Sequence, residues 1–200
     1  MMIPTNLQTL DDFLPFPEMY RQQALDEKFY DIRGPDGELY KNINVRPSYE
    51  FEGLLSERLG RKVKCSYSLL RVNFDGEMPN NAVHSDNGYD QFAAVLYLNK
   101  PGDCKGGTAF WTHKKYGWTK FPTLNQLRQT CKKPEKILNQ LTADYNNGDA
   151  WKLDHVAEMK FNRMIVYPTQ QWHSRYPWPA FGKTMEDARL IWITFFSEVL

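Results

Sequence analysis

The sequence has few cysteines and no long apolar run. Its three cysteines in 200 residues are widely spaced and form no CxxC pair, which argues against a disulfide framework and against a thiolate zinc site. No apolar stretch reaches the roughly 18 residues that a membrane span needs, and the N-terminus has neither the basic start nor the apolar run of a signal peptide. We therefore expect a cytoplasmic protein that does not contact a membrane.

The chain also has almost no net charge. A formal charge of +1 provides no bulk electrostatic attraction to nucleic acid, so a small-molecule or peptide partner is the stronger expectation. A composition of 42% hydrophobic and 24% charged residues is that of an ordinary globular protein. Two hundred residues suffice for one domain with its own core, and we predict a single domain over residues 1–200. The sequence carries no signal for an oligomeric state.

The pattern of the chain predicts a β core with helices around it. Residues 1–62 are predicted as a helical N-terminal support, with one helix from Pro17 to Tyr30 and another from Pro47 to Gly60. The intervening RGPDGELY is typical of a turn. Strand-like segments such as VKCSYSLLRVNF and QFAAVLYLN then follow over residues 63–111 and return in the final third. Residues 112–150 are polar and helix-favouring, which predicts an insertion into the β core.

The motif HSD places two possible metal ligands, His84 and Asp86, two residues apart. On an extended segment such residues point to the same side, so an imidazole and a carboxylate can reach one ion. His173, in QQWHSRYP, follows after further strands. Two histidines and one carboxylate that leave positions open are the facial triad of non-haem Fe(II) oxygenases, and the open positions can take a 2-oxo acid and O2.

The motif also has a simpler interpretation, in which His84 and Asp86 lie in a solvated loop. Two other histidines compete for the role of third ligand. We expect His113 to lie in a solvated turn and His155 to be a surface strand residue, which leaves His173 as the favoured third ligand.

Arg189 opens ARLIWITFF, an otherwise apolar terminal strand. A buried charge needs a partner, and a guanidinium is suited to bind the distal carboxylate of 2-oxoglutarate with two hydrogen bonds. The alternative is that Arg189 lies at the strand end and extends its charged group to water.

These residues resemble the prolyl-4-hydroxylase-like branch of the 2-oxoglutarate/Fe(II)-dependent dioxygenases, over about residues 63–196. The N-terminal DDFLPFPEMYRQQAL is similar to the start of small oxygenase-like proteins of bacteria and their phages. The motifs that carry the resemblance are Tyr97-Leu98-Asn99, Gly106-Gly107 through Trp111, Asn162-Arg163 to Tyr167, His173, and Arg189 to Phe196.

The resemblance implies a double-stranded β-helix, a cupin-like jelly roll with flanking helices. It implies a hydroxylase that uses Fe(II), 2-oxoglutarate as cosubstrate and O2 on an unidentified substrate, such as an amino acid, a peptide side chain or a small metabolite. The iron ligands and catalytic residues would be His84, Asp86 and His173. Arg189 would bind the distal carboxylate of 2-oxoglutarate, and Tyr97 would contribute its hydroxyl unless it is only a core tyrosine.

Two departures from the family pattern leave alternatives open. The interval from His173 to Arg189 is long for this branch, so Arg175 or Lys183 could bind the cosubstrate instead. The insertion at 112–150, together with the loop 174–186, could be a mobile cover that selects the substrate, or the insertion could be a helical excursion without a catalytic part. Two other functions also compete: a cupin-like metalloprotein that does not use 2-oxoglutarate, and a catalytically inactive binding β-sandwich.

Overall fold

The computed structural model describes residues 7–34, 37–86, 88–131 and 133–199. In these residues no helix is long and apolar enough to cross a membrane. The helices are α1 (Pro17–Asp26), α2 (Glu52–Leu59), α3 (Leu124–Thr130) and α4 (Pro134–Asp144), with short 3-10 segments at Ser48–Phe51, Pro101–Asp103 and Gly148–Ala150. The strands are β1 (Gln8–Leu10), β2 (Tyr30–Arg33), β3 (Leu39–Arg46), β4 (Val63–Asn73), β5 (Phe92–Tyr97), β6 (Gly107–His113), β7 (Trp151–Glu158), β8 (Met164–Pro168), β9 (His173–Tyr176) and β10 (Arg189–Glu198).

The strands form two antiparallel sheets. The major sheet has the order β1-β8-β5-β10-β4-β3-β2, and the minor sheet has the order β7-β6-β9. An isolated antiparallel bridge between His84 and His173 adds the HSD segment to the free edge of β9. The HSD segment therefore belongs to the minor sheet rather than to a solvated loop.

The outer face of the major sheet is covered by α1 and α2. Alternate residues of β10, such as Leu190 and Trp192, point outward and pack with Ala24 of α1, Leu55 of α2 and Phe51. The other face of β5 and β10 points toward the minor sheet, because successive strand residues point to opposite faces. Each fully buried large apolar side chain in these layers contributes roughly 1.5–3 kcal/mol of transfer free energy.

The insertion packs on the outer face of the minor sheet. Leu127 of α3 and Leu141 of α4 are buried against Trp151 and Trp172, whereas His173, the neighbour of Trp172, points to the inner face. Thr123 begins α3 with a capping box formed with Gln126. The helices of the insertion therefore support the minor sheet on its outer face. That residues 112–150 and the loop 174–186 form a mobile cover stays a prediction.

The prediction that residues 1–62 are helical is wrong in part. Helix α1 ends at Asp26, and Tyr30 begins the hairpin β2–β3, which extends the major sheet beyond β4. This hairpin escaped detection because its strand LYKNINVR alternates polar and apolar residues weakly and is half-exposed. Residues 35 and 36 of the predicted turn lie outside the described residues.

The Gly106-Gly107 pair brings three strands close together. Gly106 has φ +63, and a Cβ atom there would lie 1.9 Å from the carbonyl oxygen of Tyr176. A Cβ atom at Gly107 would lie 2.0 Å from the carbonyl oxygen of Ala157. Only glycine allows this approach, so the pair allows β6 to lie between β7 and β9.

Candidate metal and cosubstrate site

The structure brings His84, Asp86 and His173 together on the inner side of the minor sheet. His84 and His173 exchange two backbone hydrogen bonds, of 3.0 and 2.9 Å, and their ring centroids are 4.5 Å apart. Nε2 of His173 lies 3.7 Å from Oδ2 of Asp86. One ligand atom from each of the three residues lies within 4.8 Å of the other two. The three side chains therefore converge on one point.

Both imidazoles are oriented by backbone carbonyl groups. Nδ1 of His84 lies 3.3 Å from the carbonyl oxygen of Ala82, and Nδ1 of His173 lies 2.9 Å from that of Gln171. A carbonyl oxygen can only accept, so in each ring Nδ1 donates its proton and Nε2 keeps a free lone pair. This orientation by a backbone acceptor is typical of histidines that bind metals.

The charge state of the cluster also fits a cation. Burial, and secondarily the neighbouring His173, lower the pKa of His84 to about 4, and burial lowers that of His173 to about 4, so both rings are neutral at pH 7. Burial raises the pKa of Asp86 to about 6, and its Oδ2 atom is buried without a hydrogen-bond partner among the described residues. A carboxylate in such a place is costly unless a cation neutralises it. Two imidazoles and one carboxylate suit a divalent first-row metal with open positions.

Arg189 lies on the inner face of the major sheet, at the start of β10. The side-chain amide of Asn99 positions it: Nδ2 donates to the carbonyl of Ala188 over 2.7 Å, and Oδ1 accepts from the amide of Leu190 over 2.9 Å. Arg189 is 4% exposed. Its Nη1 lies 3.4 Å from Oδ1 of Asn73, and its Nε has no hydrogen-bond partner in the part of the chain that the structure describes.

The guanidinium of Arg189 is thus a buried cation without a carboxylate partner among the described residues. Burial lowers its pKa to about 10, so it stays charged at pH 7. A buried, unpaired guanidinium is expensive, and an anion at this position would satisfy it.

Tyr97 is fully buried beside Arg189. Its hydroxyl forms a hydrogen bond of 2.8 Å with Thr108 and lies 3.4 Å from the carbonyl of Ala157. Burial raises its pKa, and the positive charge of Arg189 opposes that shift. The buried hydroxyl therefore lies within range of the charge of Arg189.

Tyr167 lies beside the three converging residues. Its ring centroid is 4.7 Å from that of His173. Burial, and secondarily the charge of Asp86, raise the pKa of its hydroxyl well above the normal value, and Arg189 opposes that shift.

The two alternative cosubstrate anchors have other surroundings. Arg175 donates from Nε to the carbonyl of Trp178 over 2.7 Å and from Nη1 to Glu77 over 3.3 Å, so its guanidinium is already paired. Lys183 is exposed. Neither has the unpaired, buried cation that distinguishes Arg189.

The other two histidines do not join the cluster. His113 is buried at the end of β6 and pairs with Asp144 over 3.1 Å, so its placement in a solvated turn was wrong. His113 is buried because the apolar strand β6 extends as far as this residue. His155 is half-buried on β7 and stacks on Phe110 with ring centroids 6.5 Å apart.

The sequence interpretation missed Arg71, on the inner face of β4, and its neighbour Glu77. A signal was present, because Arg71 interrupts the apolar segment SLLRVNF. A charged side chain in a strand between two covered faces needs an explanation as much as Arg189 does.

Solved structures of 2-oxoglutarate-dependent oxygenases share this architecture. A prolyl hydroxylase of Trichoplax adhaerens, in complex with a peptide fragment of the hypoxia inducible factor oxygen degradation domain, is 12% identical with a TM-score of 0.56, covering 96% of this chain and 84% of that chain. The viral collagen prolyl hydroxylase of Paramecium bursaria Chlorella virus-1 is 10% identical with a TM-score of 0.53, covering 98% and 91%. A non-haem alpha-ketoglutarate-dependent epimerase of nogalamycin biosynthesis is 10% identical with a TM-score of 0.56, covering 96% and 76%.

These similarities confirm the predicted fold, the double-stranded β-helix of the 2-oxoglutarate oxygenases, and the predicted resemblance at the level of fold. The chain belongs to a family of unknown function, DUF6445, whose sequence model matches residues 4–176. No curated protein matches the sequence.

Proposed function

We propose that this protein is a non-haem Fe(II) and 2-oxoglutarate-dependent dioxygenase that hydroxylates its substrate. The observation that carries the proposal is the pair of unsatisfied groups between the two sheets. One is the buried Asp86 oxygen beside two imidazoles with free Nε2 atoms. The other is the buried guanidinium of Arg189. The first needs a cation and the second an anion, and a metal chelated by a dicarboxylic 2-oxo acid supplies both.

In this proposal His84, Asp86 and His173 hold Fe(II), and Arg189 and Tyr97 hold the distal carboxylate of 2-oxoglutarate. Fe(II) held by these residues would supply the activation of O2, and in the balance of the proposed reaction one oxygen atom would enter the substrate C–H bond to give an alcohol while the other would enter 2-oxoglutarate, which would leave as succinate and CO2. No proton has to be stored by the protein in this balance.

The protein's own residues bind, orient and exclude water. Tyr97, Phe110 and Ile191 are buried around the position proposed for the cosubstrate, and a dry surrounding strengthens each charge interaction there. The carbonyls of Ala82 and Gln171 fix the two imidazoles before any ligand arrives, which reduces the reorganisation that binding requires.

The competing cupin-like function, without 2-oxoglutarate, leaves Arg189 without a role. A metalloprotein that needs no dicarboxylate has no use for a buried, partnerless guanidinium on the strand that faces its metal. The inactive β-sandwich likewise leaves the unpaired Asp86 oxygen without a purpose. The dioxygenase accounts for both features.

The experiment is succinate formation by the purified protein with Fe(II), 2-oxoglutarate and O2, with no added substrate and then with pooled amino acids, peptides and metabolites. We expect slow, uncoupled succinate formation that requires all three components and that the correct pool accelerates. His173→Ala serves as the inactive control, and His155→Ala as a matched histidine outside the cluster that keeps the activity. No succinate from the native protein under any pool contradicts the proposal.

A further inference from the structure

A second arginine, Arg71 of β4, faces the space between the two sheets. In the register of the major sheet it lies directly opposite Ile191 of β10 and Ile43 of β3. Directly paired residues share a face of the sheet, and Ile191 belongs to the cluster that packs toward the minor sheet. Arg71 therefore points inward, on the same face as Arg189.

The charge of Arg71 is only partly neutralised. Oε1 of Glu77 lies 3.6 Å from Nη2, which is too long for a hydrogen bond. The same oxygen accepts from Nδ2 of Asn73 over 2.7 Å and from Nη1 of Arg175 over 3.3 Å. Glu77 therefore serves mainly Asn73 and Arg175.

Arg71 also keeps a donor without a partner, because its Nε is buried and makes no hydrogen bond among the described residues. Among the described residues, Glu77 is the carboxylate that pairs with the inward guanidiniums of Arg71 and Arg175, and Arg189 has none. When Arg189 binds the cosubstrate and Arg175 pairs with Glu77, Arg71 is the cation that remains.

Arg71 lies close to the metal cluster but apart from the cosubstrate anchor. It shares Oε1 of Glu77 with Arg175, which lies two residues from His173 on the same face of β9. Along β4 it stands two residues from Asn73, the strand partner of Arg189, a distance of about 7 Å. The side chain of Arg71 can thus reach a molecule at the metal that is not 2-oxoglutarate.

An apolar floor continues from Arg71 toward the open end of the barrel. The next inward row is Val45, Leu69 and Ile193, and the row after it contains Tyr67 and Phe195. The rings of Tyr67 and Phe195 stack with centroids 6.5 Å apart. Val45 is 52% and Tyr67 41% exposed, so the floor is open to a ligand at its outer end.

We propose that Arg71 binds the carboxylate of the primary substrate and that the apolar part of the substrate lies on the floor of Val45, Leu69, Ile193, Tyr67 and Phe195. The substrate class is therefore an apolar carboxylic acid. A single carboxylate matches the one cation that remains, and the floor offers no further charge. This inference depends on the proposed dioxygenase function and narrows its substrate.

The test uses hexanoate and its uncharged isostere hexanamide as probes. The full chain is loaded with Mn(II), a redox-inert substitute for Fe(II), and saturated with 2-oxoglutarate. Paramagnetic broadening of the probe's proton resonances, compared with a Zn(II)-loaded sample, reports binding near the metal without any turnover. We expect hexanoate to bind roughly 10- to 100-fold more tightly than hexanamide, the loss expected for a hydrogen-bonded charge. Equal binding of the two probes, or no binding of hexanoate, overturns the inference.

Variants separate the role of Arg71 from a general effect on the fold. Arg71→Gln should remove the preference for hexanoate while 2-oxoglutarate still binds, and Arg71→Lys should restore part of it. Arg61→Gln, which removes a surface arginine paired with Glu198, should leave the preference unchanged. A preference that survives Arg71→Gln, or loss of 2-oxoglutarate binding in that variant, overturns the inference.

Failure of the underlying function has a different signature. If the native protein binds neither Mn(II) nor 2-oxoglutarate, the dioxygenase proposal fails and the substrate assignment fails with it. If both bind and only the preference for the carboxylate is missing, the substrate assignment alone is wrong.

Discussion

The minor sheet carries a histidine–aspartate pair on each of its faces, and the two pairs differ in what surrounds them. On the outer face, Nε2 of His113 lies 3.1 Å from Oδ2 of Asp144. On the inner face, Nε2 of His173 lies 3.7 Å from Oδ2 of Asp86. All four residues are largely covered, so burial alone does not distinguish a packing element from a site.

In the outer pair the carboxylate is satisfied, and Nδ1 of His113 is buried without a hydrogen-bond partner among the described residues. Asp144 accepts hydrogen bonds from Gln140 and His113, and its backbone carbonyl accepts from Trp151. Burial raises the pKa of Asp144, but these side-chain hydrogen bonds outweigh it and lower the pKa below its normal value.

In the inner pair, no hydrogen bond from the described residues to Oδ2 of Asp86 offsets the burial of the carboxylate. Asp86 has a buried oxygen without a partner among the described residues and a pKa raised to about 6. The unpaired carboxylate oxygen of the inner pair therefore indicates a cation site, whereas the hydrogen-bonded carboxylate of the outer pair holds the insertion against the sheet.

The largest expected effect is the difference in Mn(II) affinity between the alanine variants of His173 and His113. His173→Ala should weaken Mn(II) binding by more than roughly 100-fold, the upper range for losing a residue that only orients a ligand, and should abolish succinate formation. His113→Ala should leave Mn(II) affinity unchanged. Isothermal titration of both variants measures this, and equal metal affinity in the two would remove the distinction between the pairs.

The next largest effect is a difference in 2-oxoglutarate binding between variants of two arginines that lie on opposite faces of the major sheet. Arg189→Ala should weaken 2-oxoglutarate binding roughly 10- to 150-fold through loss of charge-assisted hydrogen bonds, with Mn(II) affinity retained. The control is Arg46→Ala, since Arg46 lies on the outer face over Trp192. The assignment of Arg189 is wrong if its replacement has no effect while Arg175→Ala or Lys183→Ala destroys cosubstrate binding.

The pKa values of the two aspartates predict which one controls metal binding as the pH falls. Asp86 is protonated below pH about 6 in the metal-free protein, so a metal must displace that proton, and the affinity should fall by up to about tenfold per pH unit below 6. His84 and His173 have pKa values of about 4 and stay neutral in this window. Titrations in buffers of different ionisation enthalpy should show one proton released at pH 5. An affinity that is constant between pH 5 and 7 contradicts the shift of Asp86.

The smallest effect concerns stability and should be larger on the outer face than on the inner face. His113→Ala removes a buried ring that stacks on Tyr116 and leaves Asp144 with one donor fewer. We expect a loss of about 1–3 kcal/mol in the free energy of unfolding, the usual cost of leaving a buried polar group unpaired. Urea unfolding of the metal-free protein measures it, with His173→Ala as the comparison, which should lose less. A larger loss in His173→Ala would mean that the inner pair also serves packing.

The sequence was sufficient to predict the β core and the three residues that converge. An apolar run such as QFAAVLYLN predicts a buried strand from its composition alone. The HxD spacing on an extended segment places both side chains on the same side of the strand. The approach of His173 to His84 depends on a β-bridge between segments 89 residues apart. The periodicity of the sequence does not predict such a long-range pairing. Only the order of motifs along the chain pointed to it.

The parts that were not predicted depend on tertiary contacts. The hairpin β2–β3 is stabilised by joining β4 rather than by strong strand propensity. Whether a polar helical insertion covers a site or supports a sheet depends on which face of that sheet its few apolar residues meet, here Trp151 and Trp172. Arg71 could have been selected by the same reasoning as Arg189. That its charge is only partly neutralised becomes apparent only in the structure, because Glu77 accepts its hydrogen bonds from Asn73 and Arg175.

The most direct test of the central claim is the visible spectrum of the protein with Fe(II) and 2-oxoglutarate under anaerobic conditions. If the inner pair and His84 hold iron and Arg189 holds the cosubstrate, the mixture should develop the weak charge-transfer band of the iron–2-oxo acid chelate. The band should be retained in His113→Ala, absent in His173→Ala, and shifted to higher 2-oxoglutarate concentration in Arg189→Ala. A native protein that gives no band, or a band that persists unchanged in His173→Ala, would contradict the account.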